Sequence, residues 1–491
     1  MDTLIVESFS WNPHIETAGE IAVKERTLDK KVGFCFIDVD NPDDCRFVHR
    51  SAFKKKFFIK KRQRIEQLES LLRQSGVEVL SAPVLSETQL SKISDFVRSA
   101  PYDDIELLKI YQYQDADIGL AVVSSLISKT QAVHPDLEKH RPLVERYLYA
   151  SLEVYERSKA LISDHRPQKI ISFNGRFACA KAIFEAAQAL DTPAYFHERG
   201  ATMDRYELFE RQPHDFSYIR SKISARWQQA DANEKEKIAH SFFLKRRQGE
   251  GIGWKSFTAD QRRGLAPKTQ QSKVQLVYFS SSDDEFAAVG DLVRHQMFAN
   301  QRAAIRSLIH WCAEQENYHL TIRIHPHLQH KSAEDRDWWC SLTGKNLQVI
   351  SPESKVDSYA LIEQASAVIV YNSTIGVEAT YWGRPAILLG DSFYTSMDCI
   401  YEPKSEAALY QLLDEVEHLE AFPQHNCLPY GYYFMRRGTG YEYYQPEGLF
   451  SGTFMGQYLG PEPGFYRVLK RAKARLMNLP KRWPSMTRSG V

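Results

Sequence analysis

The chain has 491 residues, 43% hydrophobic and 25% charged, the balance of an ordinary soluble globular protein with room for two or three domains. With 24 Gly and 21 Pro it is neither collagenous nor low in complexity. Lys and Arg number 63 against 62 Asp and Glu, which excludes a chain basic throughout, and no nucleic-acid partner is expected.

Residues 1–30 read as polar, without a clear period. Met1–Glu16 carries acidic residues and no long apolar core, so no signal peptide is expected, and no stretch approaches 18 apolar residues. The first strand is expected at Val32–Val39 (VGFCFIDV). A helix follows over Phe53–Arg73, with Ile65, Leu68, Leu71 and Leu72 at helical spacing, and then a strand at Val77–Leu80. Lys54, Lys55, Lys56, Lys60, Lys61 and Arg62 open that helix, as a solvated face or as a face for an acidic acceptor. The string Asp38–Asp40 (DVD) at the preceding strand end reads as a chance match to a metal-binding motif. Residues 105–165 read as helical. The strand Lys169–Phe173 runs into Asn174-Gly175-Arg176, a helix covers Phe177–Leu190, and the strand Pro193–His197 runs into Glu198-Arg199-Gly200. Such alternation indicates parallel α/β architecture.

After a polar stretch a second α/β series starts. It has strands at Val274–Phe279, Leu320–Ile324, Gln348–Ile350, Ala367–Tyr371 and Pro385–Leu389, and helices at Gln301–Glu316, Ser358–Ala365 and Gly376–Tyr381. The expected organisation is a Rossmann-like domain over 1–221, a linker over 222–272, a second Rossmann-like domain over 273–400, and a return segment with a basic tail over 401–491. Ligands then belong at the carboxyl ends of the strands, in the cleft between the domains.

Four segments carry chemistry. In Ala367–Gly390 a strand feeds a helix through Asn372, Ser373 and Thr374; with Gly376 and Glu378 beside them, these hydroxyls suit a phosphate, although plain helix capping is the alternative. In Thr321–His327 (TIRIHPH) the strand delivers Arg323, His325 and His327 to its end, where Pro326 stops it, a set that suits a phosphate or ribose better than a metal. Val277–Gly290 ends its strand in Ser280, Ser281 and Ser282 and continues into Asp283, Asp284 and Glu285, placed either as a helix-dipole complement or for catalysis. At the end of the Pro193–His197 strand, Glu198 is hard to explain by packing; it is an ion-pair partner of Arg176 or Arg199, or a catalytic carboxylate.

The order of NGR, ERG, SSSDDE, RIHPH and NSTIGVEATYWGRPAI, over roughly residues 165–395, resembles bacterial capsule and lipopolysaccharide glycosyltransferases of the GT-B type, nearest to the retaining β-Kdo transferases that use CMP-Kdo (Kdo is 3-deoxy-manno-octulosonic acid). The resemblance implies His325 and Pro326 on the CMP phosphate and ribose, Ser373 and Thr374 on the phosphate, Asp284 as catalytic carboxylate and Glu198 as acid/base. Asp283 and Glu285 are the alternatives to Asp284. Ser282, Arg323, Gly376 and Glu378 would line the donor site, and Asn174, Arg176 and Arg199 the acceptor side. It implies no bound metal and no cofactor, the CMP-sugar being a substrate and a surface glycan or glycolipid the acceptor. A sialyltransferase or CDP-glycerol-type phosphotransferase of the same fold is the alternative; a non-catalytic scaffold of polysaccharide assembly is the competing class.

Seven cysteines without a CxxC indicate neither disulfides nor a cysteine-rich metal site and fit a reducing cytoplasm. Eight of the 63 basic residues lie after Pro463, where no acidic residue follows, so the remaining 55 face 62 acids. Phe465–Trp483 mixes these charges with Tyr466, Leu469, Leu476 and Met477, which suits the surface of an anionic inner membrane or a helix packed back on the protein.

Overall fold

The computed structural model describes residues 1–44, 51–252, 256, 258–268, 273–282, 287–293, 297–448 and 451–459. Two sheets dominate. The first contains β1 (Thr3–Glu7), β2 (Val32–Phe36), β3 (Glu78–Val79), β4 (Lys169–Phe173), β5 (Ala194–Arg199) and β6 (Arg205–Phe209). The second contains β7 (Val274–Phe279), β8 (Tyr318–Arg323), β9 (Leu347–Ile350), β10 (Ala367–Val370) and β11 (Ala386–Leu388). A further strand, β12 (Thr439–Gly440), joins the first sheet, and β13 (Tyr444–Gly448), β14 (Ser451–Phe454) and β15 (Gln457–Tyr458) form a small antiparallel sheet.

The first sheet has the order β12-β6-β5-β4-β1-β2-β3, parallel from β3 through β5, with β6 and β12 antiparallel at the edge. The second, β11-β10-β7-β8-β9, is parallel throughout. Both have the buried, β-branched strands that parallel sheets need because helices cover both faces. The expected two-sheet α/β architecture is therefore what the chain adopts, with β4 and β7 at the very residues expected from their apolar runs.

One expectation fails at the N-terminus. Residues 1–30, read as featureless, contain β1, the strand between β2 and β4, and the helix His14–Thr27. The strand beginning at Val32 is thus the second, not the first. The reason is physical. The buried positions of that helix include Glu16, Thr17 and Glu20, each with its own partner: Arg64, Tyr441 and the backbone N–H groups of Glu442, Tyr443 and Tyr444, respectively. A face that is buried but polar leaves no hydrophobic period to read.

The polar stretch after residue 222 is no loose tether. Helices Phe216–Gln229 and Lys235–Arg247 pack with helix Leu428–Arg436, and one apolar cluster joins Phe196 and Phe209 of the first sheet through Ile219, Phe242, Phe243 and Tyr433 to Val277 and Val370 of the second. Gly431 admits this packing, because a Cβ there would lie 2.7 Å from the Ala239 carbonyl. The Arg220 guanidinium adds a 2.7 Å ion pair to Asp391. Nearer the strand ends, Lys331 donates to the Gln131 side chain (2.7 Å), and the Asp335 carboxylate accepts from the Val133 N–H (3.1 Å). The strand ends of both sheets therefore belong to one connected body.

Candidate active site between the two sheets

At the carboxyl end of the second sheet, β7 and β8 are tied together. The Ser280 hydroxyl accepts the His325 N–H (2.8 Å), and Ser281 N–H donates to buried Gln301 (2.7 Å), which also accepts the Tyr278 hydroxyl (3.0 Å). Pro326 does stop the strand, and a 3-10 turn follows over Pro326–His330, with His325 Nδ1 accepting the His327 N–H. His325 is therefore fixed by its neighbours before any ligand arrives. Burial, with the charges of His327, Arg323, Arg246 and Lys331, pushes its pKa down to about 3. The ring is neutral at physiological pH and lies in a strongly positive field.

Arg323, expected on the donor, turns inward instead. It is 1% exposed and donates to the carbonyls of Ile324, Ser351 and Ser354, at 3.2, 2.5 and 3.1 Å. It holds the loop after β9, and its charge reaches the site only as field. Its own pKa is lowered to about 10 by burial.

The end of β10 brings a residue that the sequence reading passed over. Arg246, at the end of helix Lys235–Arg247, donates to the Glu378 carboxylate (3.0 Å) and to the Thr374 hydroxyl (3.3 Å). Thr374 donates in turn to Glu378 (3.2 Å), whose other oxygen accepts the Tyr359 hydroxyl. Glu378 is fully buried within this cluster. Its expected place in the donor site thus becomes indirect: it holds Arg246 and Thr374 in position. The Coulombic pull of Glu378 raises the Arg246 pKa further, so the guanidinium stays charged. The only signal for Arg246 was the basic run Lys245-Arg246-Arg247, and assigning it to a linker hid it.

Ser373 and Thr374 remain partly exposed at the start of the seven-residue helix Ile375–Tyr381, and the Thr374 side chain makes no cap. Capping is therefore not what Thr374 does; the Ser373 hydroxyl accepts the Ile375 N–H in a long contact of 3.4 Å. Gly376 is required by packing, since a Cβ would lie 2.6 Å from the Tyr394 hydroxyl and 2.8 Å from Ile400 Cδ1. Ser282 is half-buried after β7. Asp283, Asp284 and Glu285 lie outside the described residues.

At the carboxyl end of the first sheet, Glu198 is held by two donors. Asn174 Nδ2 gives 2.5 Å to one oxygen, and the Arg199 N–H gives 3.2 Å to the other. The Asn174-Gly175 turn that aims the amide has φ of 57° and 73°, left-handed values that Asn and Gly accept at least cost. The Arg176 N–H closes the turn on Asn174 Oδ1 (3.1 Å), and its guanidinium lies over Phe177. Arg199 Nη2 donates to the Asn12 carbonyl (3.4 Å), and burial lowers its pKa. On the same face as Arg199, His197 Nε2 pairs with Glu7 Oε1 at 2.6 Å across β4, both groups buried. His14 stands beside them, its ring centroid 4.0 Å from that of Phe173.

The DVD string is fully engaged: Asp38 pairs with Lys61 (2.6 Å), and Arg146 donates to both oxygens of Asp40 (2.8 and 2.7 Å). Lys61, expected on a solvated or acceptor-facing surface, is buried against Asp38 and Asp44. The side chains of Lys54, Lys55, Lys56 and Lys60 and the whole of Phe465–Trp483 lie outside the described residues. No group of three metal-ligating side chains occurs among the described residues, and no helix there is long and apolar enough to cross a membrane.

The chain thus has two α/β sheets, with cations at the strand ends of the second and a held carboxylate near the strand ends of the first. Residues 261–402, the second sheet with its helices, match the family described as capsule polysaccharide biosynthesis protein, in agreement with the resemblance read from the motifs. No curated protein sequence matches the chain. Among solved structures it is similar to the KpsC β-Kdo 2,4-transferase of Thermosulfurimonas dismutans, at 10% identity over 62% of this chain and 87% of that one, with a TM-score of 0.35. The KpsC β-Kdo 2,7-transferase of the same organism gives 15% identity over 51% and 74%, with a TM-score of 0.32. A UDP-GlcNAc 2-epimerase from Neisseria meningitidis gives 9% identity over 97% and 100%, with a TM-score of 0.29.

Proposed function

We propose that the protein is a capsule glycosyltransferase that moves Kdo from CMP-Kdo, with retention, to a surface glycan or glycolipid. The observation that carries this reading is the convergence of His325, Arg246 and Lys331 with the hydroxyls of Ser373 and Thr374 at the ends of β8 and β10, inside the segment that matches the capsule family. A positive field at these strand ends suits a phosphate that must leave as CMP. Kdo is a ketose acid, so departure of CMP creates an oxocarbenium-like centre. Retention follows from two inversions: a carboxylate of the 283–285 run attacks the anomeric carbon as CMP leaves, and the acceptor oxygen then displaces that carboxylate. Asp284 is the proposed nucleophile. Glu198 receives the acceptor's proton in the second step, and its two donors hold the carboxylate in place for that task. The tail Phe465–Trp483 adds reversible attachment to an anionic inner-membrane surface, so truncation at Pro463 releases the protein from anionic liposomes without loss of CMP binding.

The test is incubation with CMP-Kdo, CMP-sialic acid and CDP-glycerol, scored by release of CMP. The reading expects CMP-Kdo to be consumed and a peptide containing Asp284 to gain the mass of one Kdo. Preferential use of CMP-sialic acid or CDP-glycerol would replace the donor assignment, and inertness to all three would support a scaffold.

A further inference from the structure

His14 is the first residue of the helix His14–Thr27, at the carboxyl end of β1. It is only 7% exposed, and its ring makes no hydrogen bond among the described residues. Its ring nitrogens are not among the fully buried polar atoms that lack a partner, so they keep access to the surface, and an imidazole held there needs a reason. Packing does not supply one, since the ring stacks on Phe173 at 4.0 Å, a contact that a hydrocarbon ring would make equally well. Its surroundings define its state. Burial comes first, then the charge of Arg199 and the neighbouring His197, and together they push its pKa well below the usual histidine value. His197 is itself engaged by Glu7. A neutral imidazole presents one N–H donor and one acceptor nitrogen, the pair that a sugar hydroxyl can satisfy from both sides. Trp11, partly exposed, lies next to it with ring centroids 6.4 Å apart, and offers an aromatic surface to the apolar face of a sugar. Glu198 and Arg199 are consecutive on β5, so their side chains emerge on opposite faces of the sheet end. His14 therefore lies on the Arg199 face, apart from the proposed proton acceptor.

We infer that His14 and Trp11 form an acceptor subsite in which the His14 imidazole binds a hydroxyl of the acceptor glycan. This rests on the transferase reading above and adds to it a residue that acts on the acceptor and not on the donor. Replacing His14 should therefore leave slow hydrolysis of CMP-Kdo by water intact while removing transfer.

The experiment uses two variants, His14→Phe, which keeps the stacking on Phe173, and His14→Gln, which keeps a donor and an acceptor. Each is purified for CMP calorimetry and for CMP-Kdo hydrolysis in acceptor-free buffer. Each is also placed on the chromosome of the source bacterium, where the native acceptor is present, and surface polysaccharide is quantified against protein level. The inference expects CMP affinity and hydrolysis within twofold of wild type for both variants. It expects at least a tenfold loss of polysaccharide in His14→Phe and a smaller loss in His14→Gln. Normal polysaccharide in His14→Phe overturns it, and so does a parallel loss of donor hydrolysis. A wild-type protein that neither binds CMP nor hydrolyses CMP-Kdo overturns the transferase reading instead, a result separate from either.

Discussion

The two sets of strand ends are built from similar residue types to opposite effect. At the first sheet, acid and base meet as pairs, Glu7 with His197 and both Asp38 and Asp44 with Lys61, while Glu198 is held by the Asn174 amide and the Arg199 backbone N–H. At the second, Glu378 is shut away behind Tyr359 and Arg246, and the charged groups acting on His325 among the described residues are cationic. Nearly balanced net charge thus conceals a division of labour. One end pairs its acids and suits an uncharged hydroxyl; the other is positive and suits a phosphate.

The contrast can be broken most severely at Glu198. Glu198→Gln keeps an oxygen for the Asn174 amide but cannot take a proton, so transfer should fall at least about a hundredfold with CMP binding unchanged. Rates with radiolabelled donor, alongside calorimetry, check both halves of that statement.

On the cationic side, Arg246→Leu leaves the fully buried Glu378 without its counter-charge. A stability loss of about 3 kcal/mol is expected in urea unfolding, because stranding one member of a buried pair costs more than removing both. The double variant Arg246→Leu/Glu378→Leu should recover part of that loss, yet bind CMP as weakly as the single one.

Both ends contribute to a common pH response. His14 at the first sheet and His325 at the second have folded-state pKa values below that of an unfolded histidine, and burial does the same to His214. Below about pH 6.5 the unfolded chain binds protons that the native chain refuses, so stability falls as pH drops from 6.5 towards 5. The limit is about 1.4 kcal/mol per pH unit for each histidine. Replacing His14 or His325 by Gln should each remove up to one proton from the uptake measured on unfolding at pH 5.5.

The smallest effect belongs to the DVD string. The Asp40–Arg146 pair is exposed on both sides, so Arg146→Ala should cost less than about 1 kcal/mol and leave transfer unaltered.

Apolar runs made the sheets legible. VQLVYF and KIISF became β7 and β4 residue for residue, because a buried parallel strand must be continuously hydrophobic. Strand ends were legible at His325 and Ser373, whereas β5 runs two residues past its expected end at His197, so Glu198 lies within the strand. What could not be read was burial of charge. β1 and its helix were missed because Glu7, Glu16 and Glu20 are interior, each matched by a partner remote in sequence. Arg323 and Glu378 were read as ligands for the same reason: a charged residue beside a motif looks available until its partner is known. Arg246 was missed because its partner, Glu378, is 132 residues away.

The claim that the second sheet's strand ends hold a CMP-sugar is tested most directly by titration calorimetry of CMP and UDP against wild type and His325→Ala. The account predicts that CMP binds at least tenfold more tightly than UDP. It also predicts that His325→Ala, still folded, loses about tenfold in CMP affinity, the worth of one hydrogen bond to a charged group. Tighter binding of UDP, or an unchanged CMP affinity in His325→Ala, would contradict it.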